Sequence, residues 1–314
     1  MTKVIRIGTR DSQLALWQAT RVQQLLEQHD FSTELIKIKS EGDLDLKTPL
    51  YEMGVQGVFT RSLDAALLQN RVDIAVHSMK DVPTLPAEGI CQAAVLKRGS
   101  PHDLVVFKTS LDFLSNNAPA TIATGSIRRK AQWLHRYPGH RIVDLRGNVN
   151  TRLRRLAENN WDGAIFAAAG LERTGLRPEQ SATLDWMLPA PAQGAIMVVC
   201  RQEDTATVEA TSHLNDPETA LCAGEERAFL RTLLGGCSTP ISAYAYVHDR
   251  EFLFEGNILT TDGKEKREIT KKINLPRAAG IGKQAAEELL AGGGAAILAQ
   301  IKAAGITGSQ TGYP

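Results

Sequence analysis

Aromatic residues are scarce in this chain: Phe, Trp and Tyr together make up 5% of its 314 residues. Modules that bind single-stranded nucleic acid interleave stacking aromatics with basic side chains, so this scarcity argues against that class. A dominant charge sign is also missing, with 36 Lys and Arg against 35 Asp and Glu. No global field favours a polyanion or an anionic membrane, and any anion binding must be local. No apolar run approaches the ~18 residues of a membrane span. Residues 1–6, MTKVIR, lack the apolar core of a secretion signal, so a cytoplasmic protein is expected. Cysteine is limited to Cys91, Cys200, Cys222 and Cys237, with no C-x-x-C pair. Neither a zinc site nor a disulfide framework is indicated, and free thiols are expected. A P-loop and a G-x-G-x-x-G turn are absent, which makes nucleotide phosphate the weaker choice of ligand.

What the chain does contain is alternation. Residues 4–7 and 34–38 read as strands. Between them Asp11 or Ser12 can cap a helix with Leu14, Trp17, Val22 and Leu25 on its apolar face. A second helix carrying Phe59, Leu63, Ala66 and Leu67 leads into a strand at Ile74, completing a βαβαβ pattern and hence a mostly parallel sheet. The pattern restarts after about Ser100 with strands at 121–123, 141–145 and 163–169. Residues 189–194 read as a hinge before a buried strand at 196–200. The last third changes character: Asp216 and Pro217 open a helix, three alternating strands follow, and an amphipathic helix closes the domain. The tail, residues 304–314, is expected to be disordered.

The run from Asp73 to Pro83, DIAVHSMKDVP, carries the sharpest chemical signal. An apolar strand ends in His77, Lys80 and Asp81, and the carboxyl ends of strands are where open α/β sheets bind ligands. In the second unit the strands are followed by Ser126-Ile127-Arg128-Arg129, by a segment holding Arg146 and Arg152, and by Arg173. Arg10 repeats the pattern after the first strand. Strands of a parallel sheet share one carboxyl edge, so these arginines should converge on a single cleft. Cations in the first turn of a helix oppose its dipole by ~0.3–1 kcal/mol each; an anion held there reverses the sign. The guanidinium fork suits carboxylates, and a polycarboxylate is expected. Cys237 follows Gly235-Gly236 directly. Glycines strip side-chain cover from that thiol, which is compatible with a nucleophile or an attachment site.

Six ordered motifs resemble the porphobilinogen deaminase (hydroxymethylbilane synthase) family: residues 6–18, 77–83, 126–129, 145–152, Gln193-Gly194 and 234–240. The resemblance implies an α/β fold of two type II periplasmic-binding-protein-like domains around a cleft, plus a small C-terminal α+β domain. The implied divisions are 1–97 with 196–214, 98–195, and 215–303. It implies Asp81 as the catalytic carboxylate, stabilising an azafulvenium cation and moving protons. Cys237 would hold a covalent dipyrromethane through a thioether. Arg10, Ser12, Lys80, Thr124, Ser126, Arg128, Arg129, Arg146, Arg152, Arg173 and Gln193 would bind cofactor and substrate. Gln56 and Phe59 would belong to a lid bracketed by Gly54 and Gly57, where the family usually has a lysine at the place of Gln56. The family's arginine motif usually begins Thr-Ser-Ser, against Thr124-Gly125-Ser126 here. The implied activity is head-to-tail condensation of four porphobilinogen molecules in tetrapyrrole and heme biosynthesis, by a monomer that passes its product to the next enzyme. The alternative reading is a non-catalytic two-domain binding protein for a small polycarboxylate, which would have no use for Asp81 and Cys237 together.

Overall fold

The computed structural model describes residues 4–39, 60–115, 118–233 and 239–303. The first unit is a five-stranded sheet of β1 (Ile5–Thr9), β2 (Thr33–Lys37), β3 (Ile74–Ser78), β4 (Ile90–Leu96) and β10 (Ile196–Arg201), in the order β2-β1-β3-β10-β4. β1 runs parallel to β2 and β3, whereas β10 is antiparallel to both its neighbours. Ser12 caps the helix Gln13–Glu27 by accepting a hydrogen bond from the Ala15 amide. That helix buries Ala15, Gln18, Ala19, Val22 and Leu26. Trp17, expected on the apolar face, is instead 39% exposed. It stands one helical position off the buried stripe, whose Ala19, Val22 and Leu26 pack in the sheet core, and its ring faces Arg173.

The second unit repeats the logic with β5 (Asp103–Phe107), β6 (Thr121–Ala123), β7 (Arg141–Val143), β8 (Gly163–Ala167) and β9 (Ser181–Thr183), ordered β7-β6-β8-β5-β9. β6, β7 and β8 are parallel and are followed by the helices Ile127–Arg136, Val149–Glu158 and Ala168–Thr174. The two chain segments joining the units lie side by side, with the Gly99 amide donating to the Gly194 carbonyl at 3.0 Å. Gly194 has φ +89°, and a Cβ there would stand 2.7 Å from the Gly99 and Ser100 carbonyl oxygens. Only glycine lets the two segments cross this closely.

The third unit is the antiparallel meander β11 (Ile241–His248), β12 (Glu251–Leu259) and β13 (Lys266–Asn274). The helices Pro217–Thr232 and Ile281–Leu289 pack on it around Phe229, Phe252 and Phe254. The closing helix is not continuous: Gly293 at φ +100° breaks it before a second segment, Ala295–Ala303. Fully buried Glu226 ties this unit to the joining segments, accepting from Arg98 at 2.5 Å, the Ala192 amide at 2.6 Å and the Ala245 amide at 2.8 Å. The expected class, two α/β units and a small α+β unit, is what these sheets form. Among the described residues, no helix is long and apolar enough to cross a membrane.

Candidate active site

The carboxyl edges of the two α/β sheets face one cleft of about 410 Å³. The exits of β1 and β3 contribute Arg10, Ser12, His77, Lys80 and Asp81, and the second unit contributes Arg129, Arg146 and Arg152. These side chains meet because parallel strands deliver every exit to the same side. After β3 the chain tightens into a 3₁₀ turn, Met79–Asp81, anchored by buried Met79. Arg227, reaching from the third unit, donates to the carbonyls of Met79, Val82 and Pro83 at 3.1, 2.8 and 2.6 Å. The Met79 carbonyl, which also accepts from the Val82 amide, and those of Val82 and Pro83 thereby gain a common donor, and the turn that aims Asp81 into the cleft is fixed.

Asp81 lies within electrostatic reach of Lys80 and Arg152. Burial pushes the Lys80 ammonium down to about 8, with the Asp81 carboxylate opposing that shift. Lys80 Nζ donates to Gln193 Oε1 at 3.1 Å. Burial, reinforced by Arg129 and Arg146, lowers Arg152 to about 10 while Asp81 resists. Arg152 Nε is buried and has no hydrogen-bond partner among the described residues. His77, 6% exposed, likewise presents an unpartnered Nε2. Burial and the neighbouring Arg10 hold its imidazole down to about 4, so it is neutral at pH 7. The cleft therefore offers several cations, the carboxylates of Asp81 and of Asp11, which pairs with Lys37, and one neutral imidazole, a set that suits a ligand with several carboxylates and N–H groups.

Other expected ligand residues are placed differently. Arg128 Nη2 donates to Asp103 Oδ2 at 2.6 Å, and Arg129 Nε and Nη2 donate to Asp103 Oδ1 at 3.1 and 2.7 Å. The anion that the helix Ile127–Arg136 needs near its first turn is thus supplied inside the protein. Arg129 still borders the cleft, whereas Arg128 does not line it. Gln193 donates to Asp103 Oδ1 at 2.9 Å, linking Lys80 to the same carboxylate. Ser126 caps its helix by accepting from the Arg129 amide, and Thr124 accepts from the Ser126 amide, so both shape the turn beside the cleft. Arg173 stacks over Trp17 and donates to the Gly194 carbonyl, outside the cleft lining. Gln56, Phe59 and Cys237 lie outside the described residues.

Two residues were not singled out for the site by sequence reasoning. Asp103 opens β5 rather than closing a strand, and Arg227 belongs to another unit. An acidic residue opening an otherwise apolar strand, Asp103-Leu104-Val105-Val106, was the available signal for the first.

Residues 5–209 match the family model described as porphobilinogen deaminase, dipyromethane cofactor binding domain, and residues 220–291 match porphobilinogen deaminase, C-terminal domain. A porphobilinogen deaminase of Syntrophotalea carbinolica is 41% identical over 304 residues, covering 96% of each chain. One of Acidithiobacillus ferrooxidans is 41% identical over 306 residues, covering 96% of this chain and 99% of its own. Among solved structures, a Salmonella typhimurium periplasmic binding protein described for its arginine specificity aligns with TM-score 0.41 and 12% identity, over 69% of this chain and 96% of its own.

Proposed function

The chain belongs to the porphobilinogen deaminase family, and from that premise we propose that it joins four porphobilinogen molecules head to tail. Each unit joined releases one ammonia, and water finally frees the linear hydroxymethylbilane. The observation that carries this reading is the single cleft in which Asp81 stands among Arg10, Lys80, Arg146 and Arg152.

A dipyrromethane thioether-linked to Cys237 fits this cleft by the chemistry of its donors. Each pyrrole brings an acetate and a propionate, and the lining is rich in cations that include the unpartnered Arg152 Nε. Arg10, Arg146 and Arg152 would hold those carboxylates, with Ser12 beside them. When bound, the group supplies the pyrrole α-carbon that takes up each new unit. Asp81 accepts hydrogen bonds from substrate pyrrole N–H and stabilises the azafulvenium cation left when the substrate's ammonium departs as ammonia. Its carboxylate then takes the proton from the attacking α-carbon. Lys80 opposes the substrate's carboxylates and is oriented by Gln193. Arg128, Thr124 and Ser126 act from behind, keeping Arg129 and the adjoining turn in place. Arg173 serves the lengthening chain rather than its first units.

The proposed domain divisions, 1–97 with 196–214, 98–195 and 215–303, are supported by β4 ending at Leu96 and β10 starting at Ile196. We also propose a cytoplasmic monomer that passes its product to the next enzyme of tetrapyrrole synthesis.

Two measurements on purified protein test the reading. Intact mass should show a covalent excess of two substrate-derived pyrrole rings, mapping to the Cys237 peptide and absent in Cys237→Ala. Ammonia should appear in step with porphobilinogen consumed. An unmodified mass in active protein defeats the attachment, and substrate binding without ammonia release favours a mere binding protein.

A further inference from the structure

Cys91 and Cys200 are far apart in sequence but face each other across two neighbouring strands. They are register partners in the antiparallel pair of β4 and β10, with Sγ atoms 3.7 Å apart. Residues directly opposite in an antiparallel pair have Cα atoms about 4.5–5.5 Å apart. That spacing falls inside the range a disulfide spans, about 4.4–6.8 Å. Cys91 is half-buried on edge strand β4, so a small oxidant can reach it, while Cys200 is fully buried beneath it. Cys222 is the remaining thiol among the described residues and packs in a different core.

We propose that Cys91 and Cys200 form a reversible thiol–disulfide site that hydrogen peroxide closes. Cys91 sulfur attacks the peroxide oxygen, breaking the O–O bond to give a sulfenic acid and one water. Cys200 sulfur then attacks Cys91 sulfur, the S–O bond breaks, and the hydroxyl leaves as a second water with the Cys200 proton. Two thiols are oxidised, one peroxide is reduced, and the sulfurs become joined. Cys91 meets the oxidant first because it is the more exposed of the two, and fully buried Cys200 is the resolving partner beneath it.

Closing the bond joins residues 109 apart and encloses all of β5 to β9. A cross-link of that length removes freedom chiefly from the unfolded chain. Its place is also away from the chemistry. β10 pairs with β3, the strand that leads into the Asp81 turn, at Ile196 with Ser78, while Cys200 sits opposite Ile74 at the far end. Oxidation of this pair is therefore independent of the proposed function.

The test treats the purified full chain with stoichiometric hydrogen peroxide and reads mass, peptides and melting. The expected result is loss of two hydrogen atoms, a non-reduced peptide joining Cys91 to Cys200, and a melting midpoint raised by several degrees. Dithiothreitol should reverse all three. Cys91→Ser and Cys200→Ser should each abolish the linked peptide while leaving turnover unchanged. Recovery of both residues as alkylatable thiols, or oxygen adducts on Cys91 with no linked peptide, overturns the proposal. So does a linked peptide accompanied by an unchanged or lower midpoint.

Discussion

Replacing Asp103 by Asn removes one charge and leaves two buried cations behind. Asp103 is fully buried and accepts four side-chain hydrogen bonds at 2.6–3.1 Å, three from Arg128 and Arg129 and one from Gln193. Asparagine keeps the shape, yet its amide must point N–H groups at a guanidinium. Both arginines are only 5% exposed, so water cannot take over. Removing one partner of a buried ion pair typically destabilises by about 3–5 kcal/mol, and here a single carboxylate serves two partners. With urea slopes near or above ~3 kcal/mol/M for a chain of this size, the midpoint should fall by roughly 1–2 M. Exposed Asp112→Asn serves as the comparison and should shift stability by less than ~0.5 kcal/mol. Burial alone would raise the Asp103 carboxyl, but Arg128, Arg129 and the attached hydrogen bonds hold it well below the usual carboxylate range. A depressed folded-state pKa gives stability that is present above the unfolded value of 3.8 and lost below it. The gap between parent and variant should therefore be constant from pH 5 to 8 and narrow on further acidification. Equal urea midpoints for the two proteins at pH 7 would refute the reasoning.

Lys80, held at about 8, should begin to lose its proton just above neutrality, so the KM for porphobilinogen should rise above about pH 8. Lys80→Arg keeps the charge and should flatten that rise; identical profiles would show that Lys80 does not bind substrate. His77 is held at about 4 against an ordinary 6.5, so between those values the folded state binds fewer protons and stability grows with pH. His77→Asn should remove about 2 kcal/mol of that dependence, read as the difference between parent and variant unfolding free energies at pH 4.5 and 7. Arg152→Leu should impair cofactor attachment by mass and lower turnover about ten- to a hundredfold, the worth of a charged hydrogen bond. Full adduct with normal rates in Arg152→Leu would reject the converging cleft, whereas Arg173→Leu, outside the cleft lining, should spare the adduct and slow elongation.

Much of this arrangement was legible because it follows from direction. An apolar run that ends in polar residues marks a strand exit, and parallel strands bring their exits together. Arg10, Asp81, Arg146 and Arg152 therefore reach one cleft, as their positions imply. What escaped reading depends on partners far away in sequence. Asp103 stands 25 residues before Arg128 and at the opposite end of its strand, so no exit rule points to it. Arg227 is 144 residues from Pro83 and looks like an ordinary charged position on an amphipathic helix. The meeting of Cys91 with Cys200 requires β10 to insert between β3 and β4, and a period-two pattern carries no such register. Trp17 reads as core from its size and hydrophobicity, but its one-position offset from the buried stripe leaves it 39% exposed.

The central claim is that Asp81 supplies the negative charge against which the substrate cation forms, and Asp81→Asn tests it most directly. The variant preserves size and one acceptor, and it should fold. A charge-stabilising contact in a desolvated site is worth about 2.7–4 kcal/mol in the transition state, so turnover should fall at least ~100-fold. The decisive measurement is the single-turnover rate of ammonia release from porphobilinogen in protein shown by mass to carry its cofactor. Loss of at least that factor, with activity partly retained in Asp81→Glu, is the predicted result. A rate equal to the parent in cofactor-loaded Asp81→Asn would contradict the account.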